Sequence, residues 1–179
     1  MEKRLGNIII QTPGGTAAKG SNTYKVSLPS SWMKELGIDA ENRQIELRFD
    51  GKTIAISKRL TLEEFISQKR KAGHKLFRFF YYDGDILCSE IAADFTDQTL
   101  CTEDYISDVL KTAFGNNRLP TWDDFQSFLE ERCIPRARAG LREYLESLGL
   151  DEYDPLEIIK KTAGRMAEDK QWIEIKVIS

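Results

Sequence analysis

Apolar and polar residues alternate with a period of two in several short stretches of the chain and recur at three-to-four spacing in others, the signatures of strands and helices. The run Gly6–Gln11 (GNIIIQ) is short and β-branched and predicts a first strand. Thr12–Ser21 (TPGGTAAKGS) is a polar, glycine-rich loop. Thr23–Leu28 alternates with Tyr24, Val26 and Leu28 on one face, which marks Tyr24 as a core residue; Trp32 is read as core too. Pro29 ends that strand, Ser30 is placed to cap a short helix Ser31–Leu36, and Gly37 stops it. Gln44–Phe49 and Lys52–Ser57 predict two strands joined by the hairpin dipeptide Asp50-Gly51. So few apolar residues lie within 6–57 that this unit is not expected to fold without a partner chain or the rest of the protein.

Farther on, Thr61-Leu62-Glu63-Glu64 has capping-box spacing and opens a helix to about Lys71. A second hairpin follows, Lys75–Tyr82 and Asp85–Ala93 around Asp83-Gly84. Residues 103–113 have a helical pattern. Thr121 is placed to cap a helix to Glu131, with Trp122, Phe125, Phe128 and Leu129 on its core face. Helices are predicted over Arg136–Leu148, ending at Gly149, and from Pro155 to about Ala163 behind Asp154. Gln171–Ile178 alternates and predicts a closing strand. The fold class is α+β. An N-terminal β-hairpin domain spans 1–60, and a C-terminal α+β interaction domain spans 61–179 with a central hairpin, a helical module and the closing strand.

The composition is that of an ordinary globular protein, with 41% hydrophobic and 31% charged residues in 179. No apolar run approaches the roughly 20 residues of a membrane span, and Met1-Glu2-Lys3-Arg4 does not open a secretory signal, so no membrane and a cytoplasmic location are expected. Cys88, Cys101 and Cys133 are too scattered for a disulfide framework or a zinc site, and His74 is the single histidine. Asp83 with Asp85, and Glu168 with Asp169, are the carboxylate pairs open to Mg²⁺. The first flanks a hairpin turn, and the second sits beside Arg165, where an ion pair or cap is the simpler role. Cys133 has no histidine near it in sequence to act as base. The glycine-rich loop lacks the Gly-Lys-Ser/Thr of a phosphate loop. The expectation is a non-enzymatic protein with no cofactor and no metal.

Charge divides the chain more sharply than hydropathy. Residues 1–78 carry 15 basic against 8 acidic side chains, and residues 79–179 carry 11 against 21. The stretch 69–78 holds five basic residues and no acid, with His74, Phe77 and, just beyond, Phe79 interleaved. A basic front and an acidic back point to different partners, or to two faces that fold against each other.

The stretch Asn22-Thr23-Tyr24-Lys25-Val26-Ser27-Leu28-Pro29-Ser30-Ser31-Trp32, followed by Leu36-Gly37 and the Arg43–Ile56 hairpin, resembles the AbrB/MazE/SpoVT swapped-hairpin DNA-binding family over about residues 5–58. Two features depart from that pattern. Ser21 stands between Gly20 and Asn22, and the Pro13–Gly20 segment is longer than the family's tight turn. The resemblance implies an intertwined homodimer whose hairpins present a basic surface to double-stranded DNA. The candidate DNA-binding residues are Lys3, Arg4, Lys19, Asn22, Thr23, Lys25, Arg43 and Arg48, with Lys69, Arg70 and Lys71 as a second surface. The backbone N–H groups of Gly14, Gly15 and Gly20 are free to approach phosphates, and Asn22 either reads a base edge or holds a turn.

Arg132, Arg136 and Arg138 gather around Pro135 and are the candidate partner-binding residues; the alternative is that they pair with acids such as Glu130, Glu131 or Asp169. The Arg-x-x-Pro-x-x-Arg stretch and the Asp-x-x-Trp-Ile segment resemble a helical segment of proteins related to HipA-like kinases and accessory proteins of phages and mobile elements, without any kinase catalytic element. Three functions fit. The first is a dimeric DNA-binding transcriptional regulator or antitoxin-like protein. The second is an anti-CRISPR protein that binds a type II RNA-guided nuclease and DNA. The third is a protein–protein adaptor. A toxin or an RNA-guided nuclease would be the protein partner, met through the acidic half.

Overall fold

Alternation in the first part of the chain builds two antiparallel hairpins. β1 (Ile8–Gln11) pairs with β2 (Thr23–Val26), Ile8 opposite Val26 and Ile10 opposite Tyr24, so these four share one face while Gln11, Thr23 and Lys25 share the other with Ile9. β3 (Ile45–Phe49) pairs with β4 (Ile54–Lys58), placing Ile45, Leu47, Phe49, Ile54 and Ile56 on one face and Glu46, Arg48, Ala55 and Ser57 on the other. Between the hairpins lies α1 (Ser30–Glu35). The computed structural model describes residues 2–12 and 22–178, and the chain divides into two units, Met1–Arg59 and Leu60–Ser179. The division falls one residue before the predicted boundary.

Local chemistry explains these bounds. Pro29, not Ser30, stands at the N-cap of α1, with no side-chain cap bond; its carbonyl accepts from the Trp32 and Met33 N–H groups, and Ser30 is the first helical residue. The turn between β3 and β4 closes because Asp50 Oδ1 accepts from the N–H groups of Lys52 (2.9 Å) and Thr53 (2.7 Å). Gly51 supplies the positive φ of 88° that this turn needs.

The second unit is a four-stranded antiparallel sheet covered on both faces. α2 (Leu62–Lys71) starts at a capping box in which Thr61 and Glu64 bond each other's backbone N–H. β5 (Leu76–Asp83), β6 (Ile86–Asp94) and β7 (Thr99–Asp104) form a meander. α3 (Trp122–Glu131), α4 (Leu141–Leu148) and α5 (Pro155–Thr162) follow, and β8 (Gln171–Ile178) returns to the free side of β5, giving the order β7-β6-β5-β8. The residues 103–113 expected to be helical are the end of β7, a connecting segment and a 3₁₀ turn at Val109–Lys111. Pairing of Leu100 and Thr102 with Ala93 and Ile91 takes the chain as a strand up to Asp104, and Tyr105 and Leu110 beyond it remain exposed. Likewise α4 starts at Leu141 and not Arg136, since Gly140 at its N-cap holds φ at 79°.

The two faces of β5 carry the core. Phe77, Phe79 and Tyr81, with Ile91, Ala93 and Ile173 beside them, pack against Phe125, Phe128 and Leu129 of α3, Leu145 of α4, and Ile158 and Ile159 of α5. Phe79 meets Phe125 edge-on at 5.1 Å and Tyr81 meets Phe128 at 5.2 Å. On the opposite face Leu62, Phe65 and Ile66 of α2 close over Ala92. Full burial of each such side chain stabilises by about 1.5–3 kcal/mol.

Arg132, at the end of α3, is buried and fully engaged. It forms a bidentate pair with Asp169 (2.6 and 3.0 Å) and donates to the carbonyls of Gly164 (3.0 Å) and Gln171 (2.9 Å). Gly164 is required here: φ is 59°, and a Cβ would stand 3.2 Å from that of Arg132. The hydrogen bond from Arg132 holds the Asp169 carboxyl below its ordinary 3.8. Asp169 therefore stabilises the fold above about pH 4, and that contribution disappears as pH falls through the lower folded-state value. Asp169→Asn is expected to lower the urea midpoint at pH 7 and to differ much less from wild type near pH 2. Arg132→Ala, which leaves the Gly164 and Gln171 carbonyls without their donor and Asp169 without its partner, is expected to cost about 1–3 kcal/mol in the same unfolding measurement.

Candidate nucleic-acid interface

The cations predicted to meet DNA fall into three groups. Lys25 lies on β2 opposite Ile9, on the more polar face of the first hairpin, with Thr23 two residues before it and Asn22 just ahead of the strand. Lys3 and Arg4 lie in the extended segment before β1, where Arg4 sits over the Trp32 ring at 5.7 Å and the Trp32 indole donates to Glu2. These contacts lay the N-terminal arm against α1. Arg43 is exposed ahead of β3. Arg48 projects from the polar face of the second hairpin, but its Nε donates to Glu46 at 2.6 Å, and that bond raises the guanidinium pKa. Lys3, Lys25 and Arg43 have no ion-pair partner among the described residues. Lys19, with Gly14, Gly15 and Gly20, lies outside the described residues.

The second basic surface does not form as one surface. Lys69, Arg70 and Lys71 end α2 in the C-terminal unit, and Lys69 turns inward. Its ammonium lies 2.9 Å from Asp94 and 2.6 Å from Asp97. Arg78, from the same run, pairs with Glu63 at 2.8 Å and with the buried Glu90. Phe77 and Phe79 are core residues and offer no stacking surface. Arg70 and Lys71 alone of the three predicted cations stay exposed.

The arginines around Pro135 separate in the same way. Arg132 is buried, so it cannot dock a partner. Arg136 pairs with Glu130 at 2.7 Å and lies over the Tyr153 ring at 4.2 Å. Arg138 is exposed. Two of the three are engaged in holding the fold. Among the carboxylates, Asp83 pairs with Lys111 at 2.7 Å and Asp169 with Arg132. Burial pushes the Cys133 thiol up to about 12, which leaves it protonated and unreactive at neutral pH.

Tyr24, expected in a core, is 63% exposed, and Trp32 is half-buried. None of the described residues of the first unit is buried. The large apolar side chains of its strands are exposed by between 40% at Ile45 and 70% at Phe49, apart from the half-buried Ile56. Each hairpin thus carries an apolar face with nothing from its own unit over it.

Comparison of the chain with protein-family models, curated proteins and solved structures finds no match. No described helix is long and apolar enough to cross a membrane.

Sequence reading missed one constellation. His74, Asp94 and Asp97 meet at the sheet end beside Lys69, with His74 Nδ1 2.8 Å from Asp94 Oδ2. Their spacing along the chain has no motif. The hairpin register that sets Leu76 opposite Asp94 brings them together across 20 residues of chain. Burial opposes the Asp94 charge, but hydrogen bonds from His74, Lys69 and the Thr96 and Asp97 N–H groups outweigh it and hold the carboxyl down to about 2. Lys69→Ala is expected to lower stability by about 2 kcal/mol in urea unfolding, because Asp94 loses its ammonium partner. Lys71→Ala, at an exposed position, is expected to change it by less than about 0.5 kcal/mol.

Proposed function

We propose that the chain is a non-enzymatic, homodimeric double-stranded-DNA-binding protein of the AbrB/MazE type, acting as a transcriptional regulator or antitoxin-like factor. The observation that supports this is the pair of uncovered apolar hairpin faces, Ile8, Ile10, Tyr24 and Val26 on one and Ile45, Leu47, Phe49 and Ile54 on the other. A monomer leaves them in water, at about 1.5–3 kcal/mol for each side chain that a partner would bury fully. A second copy supplies matching faces, as the family resemblance implies. Charge favours the same unit for DNA: residues 1–59 carry 10 basic against 6 acidic side chains, while residues 60–179 carry 16 against 23 and would be repelled by phosphates. Among the described candidates, Lys3, Lys25 and Arg43 carry no ion pair and are free to follow the backbone, with Asn22 and Thr23 just before Lys25 at the start of β2.

The acid excess of residues 60–179 favours a second reading, an anti-CRISPR protein that meets the basic channel of a type II RNA-guided nuclease. Its docking surface would be acidic, because Arg132 and Arg136 are engaged within the fold.

Sedimentation of the full chain at micromolar concentration is expected to give about 41 kDa, twice 20.5 kDa. Leu47→Glu with Phe49→Glu is expected to return it to the monomer mass and abolish duplex binding in a gel shift. Lys25→Ala is expected to weaken binding to all sequences alike and to reduce the salt slope by about one for each phosphate that the side chain had neutralised. A monomeric wild type that does not shift duplex DNA, but is captured by the nuclease, would replace the first reading with the second.

A further inference from the structure

We infer that His74, Asp94 and Asp97 form a binding site for a divalent transition-metal ion, Zn²⁺ before others, in which the Lys69 ammonium is a tethered cation that the metal displaces. One donor atom from each residue, His74 Nδ1 and a carboxylate oxygen of each aspartate, lies within 4.8 Å of the other two. Two edges of that triangle are 2.8 Å (His74 to Asp94) and 3.6 Å (His74 to Asp97). A four-coordinate ion with bonds of about 2.0–2.2 Å asks for ligand atoms roughly 3.3–3.6 Å apart, so small side-chain adjustments bring all three into one coordination shell.

The donors differ in rigidity in the way a binding site needs. Asp94 is fully buried, and its Oδ1 accepts from the Thr96 N–H (2.9 Å) and the Asp97 N–H (3.4 Å), which aims Oδ2 at His74 and Lys69. Asp97 is half exposed and opens the route by which an ion enters. An imidazole nitrogen with two carboxylates suits Zn²⁺ or its first-row neighbours; Ca²⁺ seeks six to eight oxygens and Mg²⁺ an octahedral oxygen shell. Two carboxylates present two negative charges, of which the ammonium balances one. A dication balances both, and Lys69 then swings its flexible stem toward solvent. Bound there, the metal would join the end of α2, through His74, to the β6–β7 turn. The site is independent of the DNA-binding reading, because it lies wholly in the second unit.

The test is calorimetric titration of the full chain with ZnCl₂ at pH 7.5, with thermal melting alongside. The expected result is one ion per chain and a raised melting temperature. His74→Ala and the exposed Asp97→Asn should each weaken binding at least about tenfold. Lys69→Met, which removes the competing ammonium, should bind Zn²⁺ several-fold more tightly than wild type even though the metal-free variant melts lower. Circular dichroism establishes that each variant is folded before titration. Absence of saturable binding in the micromolar range overturns the inference. So does binding that survives both ligand substitutions, which would place the ion at the cysteines or another group, and so does a Lys69→Met variant that gains no affinity.

Discussion

Everything in the C-terminal unit hangs on one strand being buried from both sides. β5 has neighbours along both edges and helices over both faces, so its alternate residues answer to two cores at once. Phe77, Phe79 and Tyr81 are held by the helical layer, and the even-numbered side is partly closed by α2. A single-residue slip would exchange Phe79 for Arg78 or Phe80 and break both layers together. The charged pairs on this sheet follow from the same constraint. Arg78 is carried by register to Glu63 and Glu90, and Asp94 is delivered to the end of α2.

The N-terminal unit obeys the opposite rule. Its hairpins have the same alternation, and none of its described residues is buried. Short strands rich in isoleucine, valine and leucine make a unit whose secondary structure is specified locally, while its described apolar side chains stay exposed. One chain therefore joins a part that satisfies itself to a part that does not, and the two differ in net charge as well.

What could be read from the sequence was the chemistry that acts over a few residues. The capping box at Thr61, the cap at Thr121, the Asp50-Gly51 and Asp83-Gly84 turns, and the Asp154-Pro155 helix start all came through, because each rests on bonds spanning three or four positions. β7 did not, since its short polar run Thr99–Asp104 has no strong alternation and only the pairing with β6 reveals the strand. The fates of the cations were hidden for the same reason. Lys69 meets Asp97 across 28 residues, so it looked like a surface charge; for Arg132 the sequence offered Asp169 as one of several acids, and the fold selects it across 37 residues. Arg43 and Arg138 look the same in sequence and do remain exposed.

The pairing of β8 with β5 sets an order of events for a chain being synthesised. Tyr81 and Ile173, opposite each other in the sheet, are separated by three helices and about half the chain. Until residues 171–178 have emerged, β5 is an edge strand with an open row of backbone groups, and Arg132 has neither Asp169 nor the Gln171 carbonyl. Before then the meander and its helices cannot complete the sheet, and one edge of the aromatic-rich β5 has no strand beside it. The closing strand is thus a latch as well as a structural element. Its arrival covers the aromatic strand and moves the open edge of the sheet out to β8, so the time during which β5 can mispair depends on how long that takes.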